Sequence, residues 1–270
     1  MSEPFASRVV LVTGASSGIG AELALQFAAG GARVALVARD VARLEEVATR
    51  CRAAGGEAFV IGADVSDTDA CRALVERTVS HYGRIDILVN NAGMGAGGRF
   101  EEITDLSIFE TLMRVNFLGA VWCTAHALPH LKKSRGSIVA VSSLAGLTGV
   151  PGRTAYAATK HAMAGFFDSL RIELAGTDVT VTVVYPGFVF SDINRRALAP
   201  DGTPFGDRAY QRKKGETMET DECCRLIMGA VARRDRDLVM TWRGKVGRVV
   251  KLISPTLVDR LALRTIREKQ

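Results

Sequence analysis

Short apolar runs alternate along this chain with longer segments of helical periodicity. The apolar runs predict strands buried on both faces, because such strands have nearly continuous apolar sequence. They lie at 8–13, 33–38, 58–62, 85–89, 136–142, 179–185 and 237–241. Apolar residues at three- and four-residue spacing predict helices at about 19–30, 41–54, 67–82, 105–131, 153–175 and 220–233. This alternation predicts the α/β class, as a single-domain, Rossmann-like, doubly wound parallel sheet of about seven strands flanked by helices.

A glycine-rich turn connects the first predicted strand with the first predicted helix. Gly14, Gly18 and Gly20 lie within seven residues of each other in this turn. Glycine lets the backbone approach a bound group closely, and the free N–H groups at a helix start attract negative charge. Strand, glycine turn and helix in this order predict a pyrophosphate site for a dinucleotide. An ordinary tight strand-to-helix connection is the alternative.

A tyrosine and a lysine lie four residues apart, at Tyr156 and Lys160. In a helix this spacing places the phenol and the ammonium on one face. A free tyrosine has a pKa near 10, and a nearby cation lowers the pKa by favouring the phenolate. Such a tyrosine can donate a proton to a ketone oxygen or accept one from an alcohol. A surface tyrosine beside a solvated lysine is the alternative interpretation.

Together the two motifs resemble the short-chain dehydrogenase/reductase family, and the resemblance covers roughly residues 5 to 240. Further matches are Asp64-Val65, Asn90-Asn91-Ala92-Gly93, Asn116, Ser143 thirteen residues before Tyr156, and Pro186-Gly187. The resemblance implies an enzyme, an oxidoreductase that interconverts a ketone and a secondary alcohol by hydride transfer. It also implies a homodimer or homotetramer, with the helices at 105–131 and 153–175 in the subunit contact.

The resemblance assigns four catalytic residues. Tyr156 is the general acid or base, and Lys160 lowers its pKa and binds the nicotinamide ribose. Ser143 binds the substrate oxygen, and the thirteen-residue offset from Tyr156 favours it over the neighbouring Ser142. Asn116 supports a proton-relay water; its alternative role is a polar residue satisfied inside a helix packing face.

The resemblance also assigns the cofactor-binding residues. They are Gly14, Ser16, Ser17, Gly18, Ile19 and Gly20 at the turn, Asp64 and Val65 at the adenine, Asn91, Ala92 and Gly93 at the adenosine ribose, Pro186, Gly187 and Val189 at the nicotinamide, with Ser191, Tyr156 and Lys160. The second strand ends in Ala38, Arg39 and Asp40. Arginine there favours NADP(H) over NAD(H), because it accommodates a 2′-phosphate. Asp40 would favour NAD(H) if it turned inward; as the N-cap of the next helix it would not.

The substrate pocket is predicted from residues that follow the strand ends. They are Met94, Leu144, Leu147, Val150, Phe188 and Phe190. This apolar lining suits a lipophilic ketone. A 3-oxoacyl-carrier-protein reductase is the alternative, and a non-catalytic NADP-binding or membrane-peripheral scaffold protein is the alternative of another class. No metal is expected to take part.

The weakly patterned stretch 191–218 predicts a lid, with an irregular connection as the alternative.

The formal net charge of +6 is concentrated at the end of the chain, where residues 243–270 contain eight basic and two acidic residues. We expect 1–242 to form the dinucleotide-binding catalytic domain and 243–270 a basic amphipathic helical extension of it. Its apolar stripe packs on the core or a partner subunit, lies on an anionic membrane, or meets an acidic partner. The tail resembles that of microsomal hydroxysteroid dehydrogenase-like members of the family. Interleaved aromatics are missing, so we expect no nucleic acid.

Composition bounds the remaining expectations. Hydrophobic residues make up 47% of the chain, which is typical of a globular protein. No apolar run reaches the length of a membrane-spanning helix, and the start of the chain lacks the apolar core of a signal peptide. The five cysteines show no C-x-x-C spacing. We expect reduced thiols, packing rather than redox chemistry at Cys223 and Cys224, and a cytoplasmic protein, with a membrane-peripheral one as the alternative.

Overall fold

A computed structural model describes residues 4–190, 193–206 and 217–267, without the side chains of 264–267. Its centre is a seven-stranded sheet in the order β3-β2-β1-β4-β5-β6-β7, in which all neighbouring strands are parallel. The strands are β1 Val9–Thr13, β2 Arg33–Ala38, β3 Glu57–Gly62, β4 Ile87–Asn90, β5 Ser137–Val141, β6 Thr180–Tyr185 and β7 Asp237–Val239. The predicted fold class is therefore confirmed.

Helices cover both faces of the sheet. They are α1 Gly18–Ala29, α2 Val41–Ala53, α3 Thr68–Tyr82, α4 Ser107–Met113, α5 Gly119–Ser134, α6 Thr154–Glu173, α7 Ile193–Arg196, α8 Thr220–Arg233, α9 Trp242–Ile253 and α10 Pro255–Arg267. The single helix predicted at 105–131 is divided, because a π-helical turn at Arg114–Leu118 separates α4 from α5. Single π-turns inside helices are rare and often occur at functional sites.

The core consists of two apolar layers, one on each face of the sheet. Phe167 of α6 is fully buried in one layer. Phe27 of α1 and Ile227 of α8 are fully buried in the other. Cys223 and Cys224 belong to that second layer, where burial raises the pKa of the Cys223 thiol to about 12. The prediction that this cysteine pair is packing material is confirmed.

The strand order reverses between β1 and β4, which lie side by side at the middle of the sheet. In open parallel sheets the crevice at such a reversal, beyond the carboxyl ends of the strands, is the usual ligand site. The side chain of Thr13, at the end of β1, accepts hydrogen bonds from the backbone N–H groups of Asn91 and Ala92 at 3.0 and 3.1 Å. These bonds hold the two segments that follow β1 and β4 together at the crevice.

The described part of the predicted lid is fastened to the loop that follows β4. Leu198 donates its N–H to Gly95 at 2.9 Å and accepts the N–H of Gly97 at 3.0 Å. At the base of the lid, Phe190 and Met218 are joined through a backbone hydrogen bond of 3.0 Å. Ser191 and the predicted lid residues 207–216 lie outside the described residues. The described lid is thus held against the carboxyl edge of the sheet.

The tail folds back as α9 and α10 but does not bury its apolar stripe. The side chains of Leu252 and Ile253 are 84% and 80% exposed. Two contacts to the rest of the chain use basic residues: Arg248 pairs with Asp237 at 2.7 Å, and Lys251 donates to the Leu147 carbonyl at 2.7 Å. Packing of the stripe on the core of the same chain is therefore wrong. None of the described helices is long and apolar enough to cross a membrane.

Candidate active site

A cavity of about 470 Å³ occupies the crevice beyond β1, β2 and β4. It is lined by the predicted cofactor residues Gly14, Ser16, Ser17, Gly18, Ile19, Arg39, Asp64, Val65, Asn91, Ala92 and Gly93. The structure therefore brings these residues together around one site. Gly20 lies behind the turn rather than in the lining, and Met94, predicted for the substrate pocket, lies here instead.

The glycine turn has a shape that only glycine permits at two positions. Gly14 has a φ of +67°, and a Cβ on it would lie 2.8 Å from the Cα of Ala92. A Cβ on Gly20 would collide with the carbonyl oxygen of Gly14. Gly14 therefore permits the close approach of the segment that follows β4, and Gly20 permits the close approach of α1 to the turn. The turn keeps its backbone at the wall of the cavity, as a pyrophosphate site requires.

The start of α1 presents its backbone N–H groups without a cap. Ser17 is the N-cap residue, yet its side chain makes no capping hydrogen bond, and the first turn of this fully described helix has no acidic residue. The Ser17 hydroxyl instead accepts a hydrogen bond from Arg196 of α7 at 3.0 Å. Uncapped N–H groups and a guanidinium beside them favour an anion. Arg196 was not among the predicted cofactor residues, because its lid segment has no helical or strand pattern that would place it.

Asn91 supports the turn from the β4 side. Its Nδ2 donates to the carbonyl oxygens of Thr13 at 2.9 Å and Gly14 at 3.3 Å. The amide therefore fixes the backbone that forms the cavity wall. The predicted contact of Asn91 with the adenosine ribose stays a prediction, since these two bonds direct the donor end of the amide at the turn.

The tip of β2 carries Arg39 and Asp40, the two residues from which the choice between NADP(H) and NAD(H) was predicted. Arg39 lies at the cavity rim with a 77% exposed side chain, and its nearest carboxylate oxygen, on Asp64, is 3.7 Å away. Asp40 caps α2: one carboxylate oxygen accepts the N–H of Arg43 at 3.1 Å, and the other pairs with its Nε at 3.4 Å. The interpretation of Asp40 as an N-cap is confirmed.

A second cavity of about 430 Å³ adjoins the first and is lined mainly by apolar groups. Ile19, Asn91, Gly93 and Ile193 line both cavities. Ser143, Tyr156 and Lys160 lie in its wall together with Pro186, Gly187 and Val189, which were predicted for the nicotinamide. The candidate catalytic residues thus lie where the dinucleotide cavity opens into an apolar pocket.

Ser143 and Tyr156 are the two candidate catalytic hydroxyl groups in the wall of the second cavity. The Ser143 oxygen accepts the N–H of Ala145 at 3.2 Å. Burial raises the pKa of the Tyr156 phenol, while the Ser143 hydrogen bond and the charge of Arg153 lower it. Burial is the largest of these effects. The lowering of the tyrosine pKa by Lys160 stays a prediction.

Lys160 is fully enclosed behind Tyr156. Its ammonium donates to the Val141 carbonyl at 2.9 Å and to the Met163 sulfur at 3.5 Å. Burial without a carboxylate partner lowers the lysine pKa to about 8. The Ser142 hydroxyl also contacts this residue, because it donates a hydrogen bond to the Lys160 backbone carbonyl at 3.1 Å. Ser142 thus anchors α6, which agrees with the choice of Ser143 as the residue that faces the pocket.

Asn116 lies in the π-helical turn and is completely buried. Its Oδ1 accepts the N–H of Met94 at 2.8 Å, and its Nδ2 donates to the Met94 carbonyl at 2.9 Å and to Thr159 at 3.0 Å. The side chain therefore positions the segment after β4 against α6. The proton-relay role predicted for Asn116 is untested, because all three bonds go to protein groups.

The predicted substrate-pocket residues divide into two groups. Leu144, Val150 and Phe188 line the second cavity, as predicted. Leu147 packs against the core, and the side chain of Phe190 is 70% exposed, so neither belongs to the lining. Both lie in irregular segments, where sequence does not set the direction of a side chain. The lining also includes Thr148, Ile193 and Asn194, from the segments 144–150 and 188–215 that were expected to border the pocket, and two residues that the sequence did not indicate, Arg153 and, from α10, Ala262.

Comparison with known proteins agrees with this arrangement. The profile of the short chain dehydrogenase family matches residues 8–201. The chain is 40% identical over 263 residues to 11-beta-hydroxysteroid dehydrogenase 1A of Arabidopsis thaliana, covering 96% of this chain and 75% of that protein. A short chain dehydrogenase/reductase from Burkholderia phymatum, solved in complex with NAD, shares the fold with a TM-score of 0.82 at 24% identity, covering 94% of this chain and 96% of that one.

A second solved structure is the alcohol dehydrogenase of the archaeon Thermococcus sibiricus, complexed with 5-hydroxy-NADP. It has a TM-score of 0.74 and 27% identity, and the match covers 86% of this chain and 94% of that one. The two solved relatives thus carry different nicotinamide cofactors, so they do not distinguish NAD from NADP for this protein. The profile match spans most of the chain and includes the glycine turn, Ser143, Tyr156 and Lys160. The chain therefore belongs to the short-chain dehydrogenase/reductase family of oxidoreductases.

Proposed function

We propose that this protein is an NADP(H)-dependent oxidoreductase that interconverts a lipophilic ketone and the corresponding secondary alcohol. The observation that carries the proposal is the position of Ser143, Tyr156 and Lys160 together in the wall of the apolar pocket, where it adjoins the dinucleotide cavity. A ketone oxygen placed there would meet two hydroxyl groups, one able to transfer a proton and one able to donate a hydrogen bond.

The chain fits a dinucleotide at the first cavity. The glycine turn would receive the pyrophosphate, because Gly14 and Gly20 leave no side chain in its way and the start of α1 is uncapped. Arg39 at the tip of β2 supports the 2′-phosphate of NADP, since Asp40 is engaged in capping α2. Arg39 is held only by a long contact to Asp64 and so can turn toward a phosphate.

The catalytic steps of the protein follow from the groups around the pocket. When bound, the nicotinamide supplies or accepts the hydride. Tyr156 donates its phenolic proton to the substrate oxygen in reduction and accepts a proton in oxidation. The Ser143 hydroxyl donates to the same oxygen and stabilises the negative charge that develops on it. Lys160 holds a positive charge behind the phenol and favours the phenolate that reduction leaves.

The shape of the second cavity supports a lipophilic substrate. Its lining includes Leu144, Val150, Pro186 and Phe188. A volume of about 430 Å³ falls in the range of small-molecule sites. The test is a panel of ketones that increases from acetone through acetophenones to steroids, with NADPH consumption measured at fixed ketone concentration. Turnover that rises with ketone size agrees with the proposal, and turnover confined to the smallest ketones would contradict it.

Two other functions remain as alternatives. A 3-oxoacyl-carrier-protein reductase is supported by the basic tail, whose helix α10 contributes Ala262 to the cavity wall. Turnover of an acyl-carrier-protein thioester at least tenfold above that of its N-acetylcysteamine thioester analogue would favour this alternative. A non-catalytic scaffold protein is disfavoured, because Asn116, Ser143, Tyr156 and Lys160 are all present and adjoin one site.

For the tail we propose a peripheral contact with an anionic membrane surface, on a protein that is otherwise cytoplasmic. Leu252 and Ile253 present an exposed apolar face, and the exposed Arg243 and Lys245 lie on the same helix. Apolar residues next to basic ones bind the boundary between headgroups and acyl chains of anionic lipid. We further propose a homodimer or homotetramer that uses α5 and α6 as the subunit contact, which leaves the tail accessible.

A further inference from the structure

An arginine lies in the wall of the apolar pocket, three residues before the candidate catalytic tyrosine. Arg153 is the residue before the first turn of α6, and its side chain lines the second cavity with Tyr156 and Ser143. Its NH1 lies 3.9 Å from the position that a Cβ would take on Gly95. The Cβ of Ala197 lies 3.2 Å from the same position, so Gly95 leaves room for both Ala197 and the guanidinium on this side of the pocket.

The guanidinium of Arg153 has one neutral partner. It donates through NH2 to the Oδ1 of Asn194 at 3.3 Å, and among the described residues no carboxylate pairs with it. Arg171, another arginine with a largely buried side chain, instead pairs with Asp168 at 2.5 Å. Burial lowers the pKa of Arg153, yet arginine stays charged in proteins. The pocket therefore contains a partly desolvated positive charge without a counter-charge from the described residues.

The other cations near the site are already engaged elsewhere. Lys160 lies in the same wall but donates to the Val141 carbonyl. Arg196 of the lid binds Ser17 in the first cavity, and Arg195 lines neither cavity. Lys213 and Lys214 lie outside the described residues. Lys160 and Arg153 are thus the cations among the described residues that line the second cavity, and the partner of Arg153 there is the neutral Asn194.

We propose that Arg153 binds a carboxylate of the substrate, so that the preferred substrates are apolar ketones that carry an acidic group near the carbonyl. This proposal rests on the proposed function and specifies its substrate class. A carboxylate matches the planar fork of a guanidinium and can accept two parallel hydrogen bonds from it. Asn194 fixes one side of the fork from the lid, which leaves the remaining donors for the ligand.

The activity test compares acids with their neutral esters. 2-, 3- and 4-acetylbenzoate and their methyl esters place a carboxylate, or its uncharged equivalent, at three distances from the same ketone. We expect the wild-type kcat/KM to favour one acid over its ester by about 10- to 100-fold, as a hydrogen-bonded charge pair predicts. Arg153→Met should abolish the preference by lowering turnover of the acid, and Arg153→Lys should restore part of it.

Arg153 also lowers the pKa of Tyr156, and this effect must be separated from substrate binding. If Arg153 acted only through Tyr156, then Arg153→Met would lower turnover of acid and ester equally and would shift the pH profiles of both. That result overturns the proposal, as does a wild type with equal kcat/KM for acid and ester. If the wild type turned over neither ketone, the proposed function itself would be contradicted instead.

A binding measurement gives a readout that does not depend on turnover. Isothermal titration of the NADPH-saturated protein with 4-isopropylbenzoate and 4-isopropylbenzamide compares a carboxylate with an uncharged group of similar size. We expect the acid to bind at least tenfold more tightly than the amide, and this difference to disappear in Arg153→Met. Thermal unfolding verifies that the variant is folded, and Arg153→Gln replaces it if it is not. Equal affinities for acid and amide in the wild type would overturn the proposal.

Discussion

The ammonium of Lys160 lies 5.7 Å from the centre of the Tyr156 ring and donates its short hydrogen bond to the Val141 carbonyl, at 2.9 Å. The two side chains share one face of α6, as their four-residue spacing predicts. The charge that directly lowers the phenol pKa comes instead from Arg153, whose effect is smaller than that of burial. Lys160 thus carries a buried charge whose hydrogen bonds go to a backbone carbonyl and to the Met163 sulfur.

Removal of Ser143 tests its role toward the substrate oxygen. We expect Ser143→Ala to lower kcat by about 100- to 1000-fold, because one donor to the developing negative charge is lost. Steady-state kinetics with NADPH and a ketone measure this, and the Kd for NADPH should change little. Ser142→Ala is the matched control: it loses a bond to the Lys160 carbonyl and should mainly lower the thermal midpoint. A larger loss of kcat in Ser142→Ala than in Ser143→Ala would contradict the assignment.

Arg39 tests the cofactor preference. Arg39→Ala should raise the Kd for NADPH by about 10- to 100-fold, since a charge-assisted hydrogen bond to the 2′-phosphate is lost. The Kd for NADH should change less than about threefold by the same reasoning. Fluorescence titration with both cofactors measures the difference. Arg50→Ala, which removes an exposed arginine of α2 outside the cavity lining, is the charge-matched control.

Asp40 gives a second check on the same preference. Asp40→Asn keeps a side-chain oxygen that can cap α2 but removes the carboxylate. The free energy of unfolding should therefore stay within about 0.5 kcal/mol of the wild type. The ratio of the Kd values for NADPH and NADH should also remain unchanged. Weaker NADH binding alone in this variant would mean that Asp40 contacts the ribose, and the NADP assignment would be wrong.

The buried charge of Lys160 predicts how stability depends on pH. Its pKa is about 8 in the folded protein, below the value of 10.5 for lysine in water, so the unfolded chain binds more protons between these values. Stability from this residue therefore rises with pH by about 1.4 kcal/mol per unit from pH 8 upward. Below pH 8 the lysine is protonated in both the folded and the unfolded state, so this residue no longer makes stability depend on pH.

Lys160→Met isolates the effect, because both proteins share every other titrating group. We expect the difference in the free energy of unfolding, wild type minus variant, to become more positive between pH 8 and pH 10. Urea unfolding without cofactor at a series of pH values measures it. Parallel curves for the two proteins over this range would show that Lys160 does not titrate as its burial implies.

The exposed stripe of the tail tests the membrane proposal. The full chain should co-sediment with vesicles of phosphatidylcholine and phosphatidylserine, and less strongly at high salt. Leu252→Glu with Ile253→Glu should weaken this binding at least about tenfold, since each buried leucine or isoleucine contributes about 1.5–3 kcal/mol.

Phe100→Glu is the matched control for the tail, because Phe100 is also an exposed apolar residue but lies outside α9 and α10. Its binding to vesicles should equal that of the wild type. Sedimentation velocity without lipid tests the alternative, in which a second copy of the chain packs on the stripe. If the tail variant instead dissociated a dimer and vesicle binding were absent throughout, the stripe would be a subunit interface.

The sequence predicts the fold well, because strands buried on both faces and amphipathic helices leave strong periodic patterns. The resemblance to the family locates Ser143, just after β5, and Tyr156, in the first turn of α6. It does not locate Arg153 or Ala262, because the first precedes a helix in an irregular loop and the second comes from a helix far along the chain. Phe190 was misplaced for a related reason: in a loop, apolar character does not establish burial.

The sequence also did not show how deeply Lys160 is buried or which groups its ammonium binds. Helical spacing gives the neighbourhood of two side chains but not the orientation of a long, flexible lysine or the depth of its burial. The π-helical turn around Asn116 was equally invisible, because a single extra residue in a turn leaves the apolar pattern of α4 and α5 almost unchanged.

The most direct test of the proposed function is the rate of NADPH and, separately, NADH consumption with a lipophilic ketone, for the wild type and Tyr156→Phe. We expect NADPH-dependent turnover in the wild type, a rate with NADH at least tenfold lower, and loss of turnover in the variant despite an unchanged Kd for NADPH. The phenylalanine retains the ring and removes only the transferable proton. Turnover that persists in Tyr156→Phe would contradict the assignment of this tyrosine as the acid and base of the reaction.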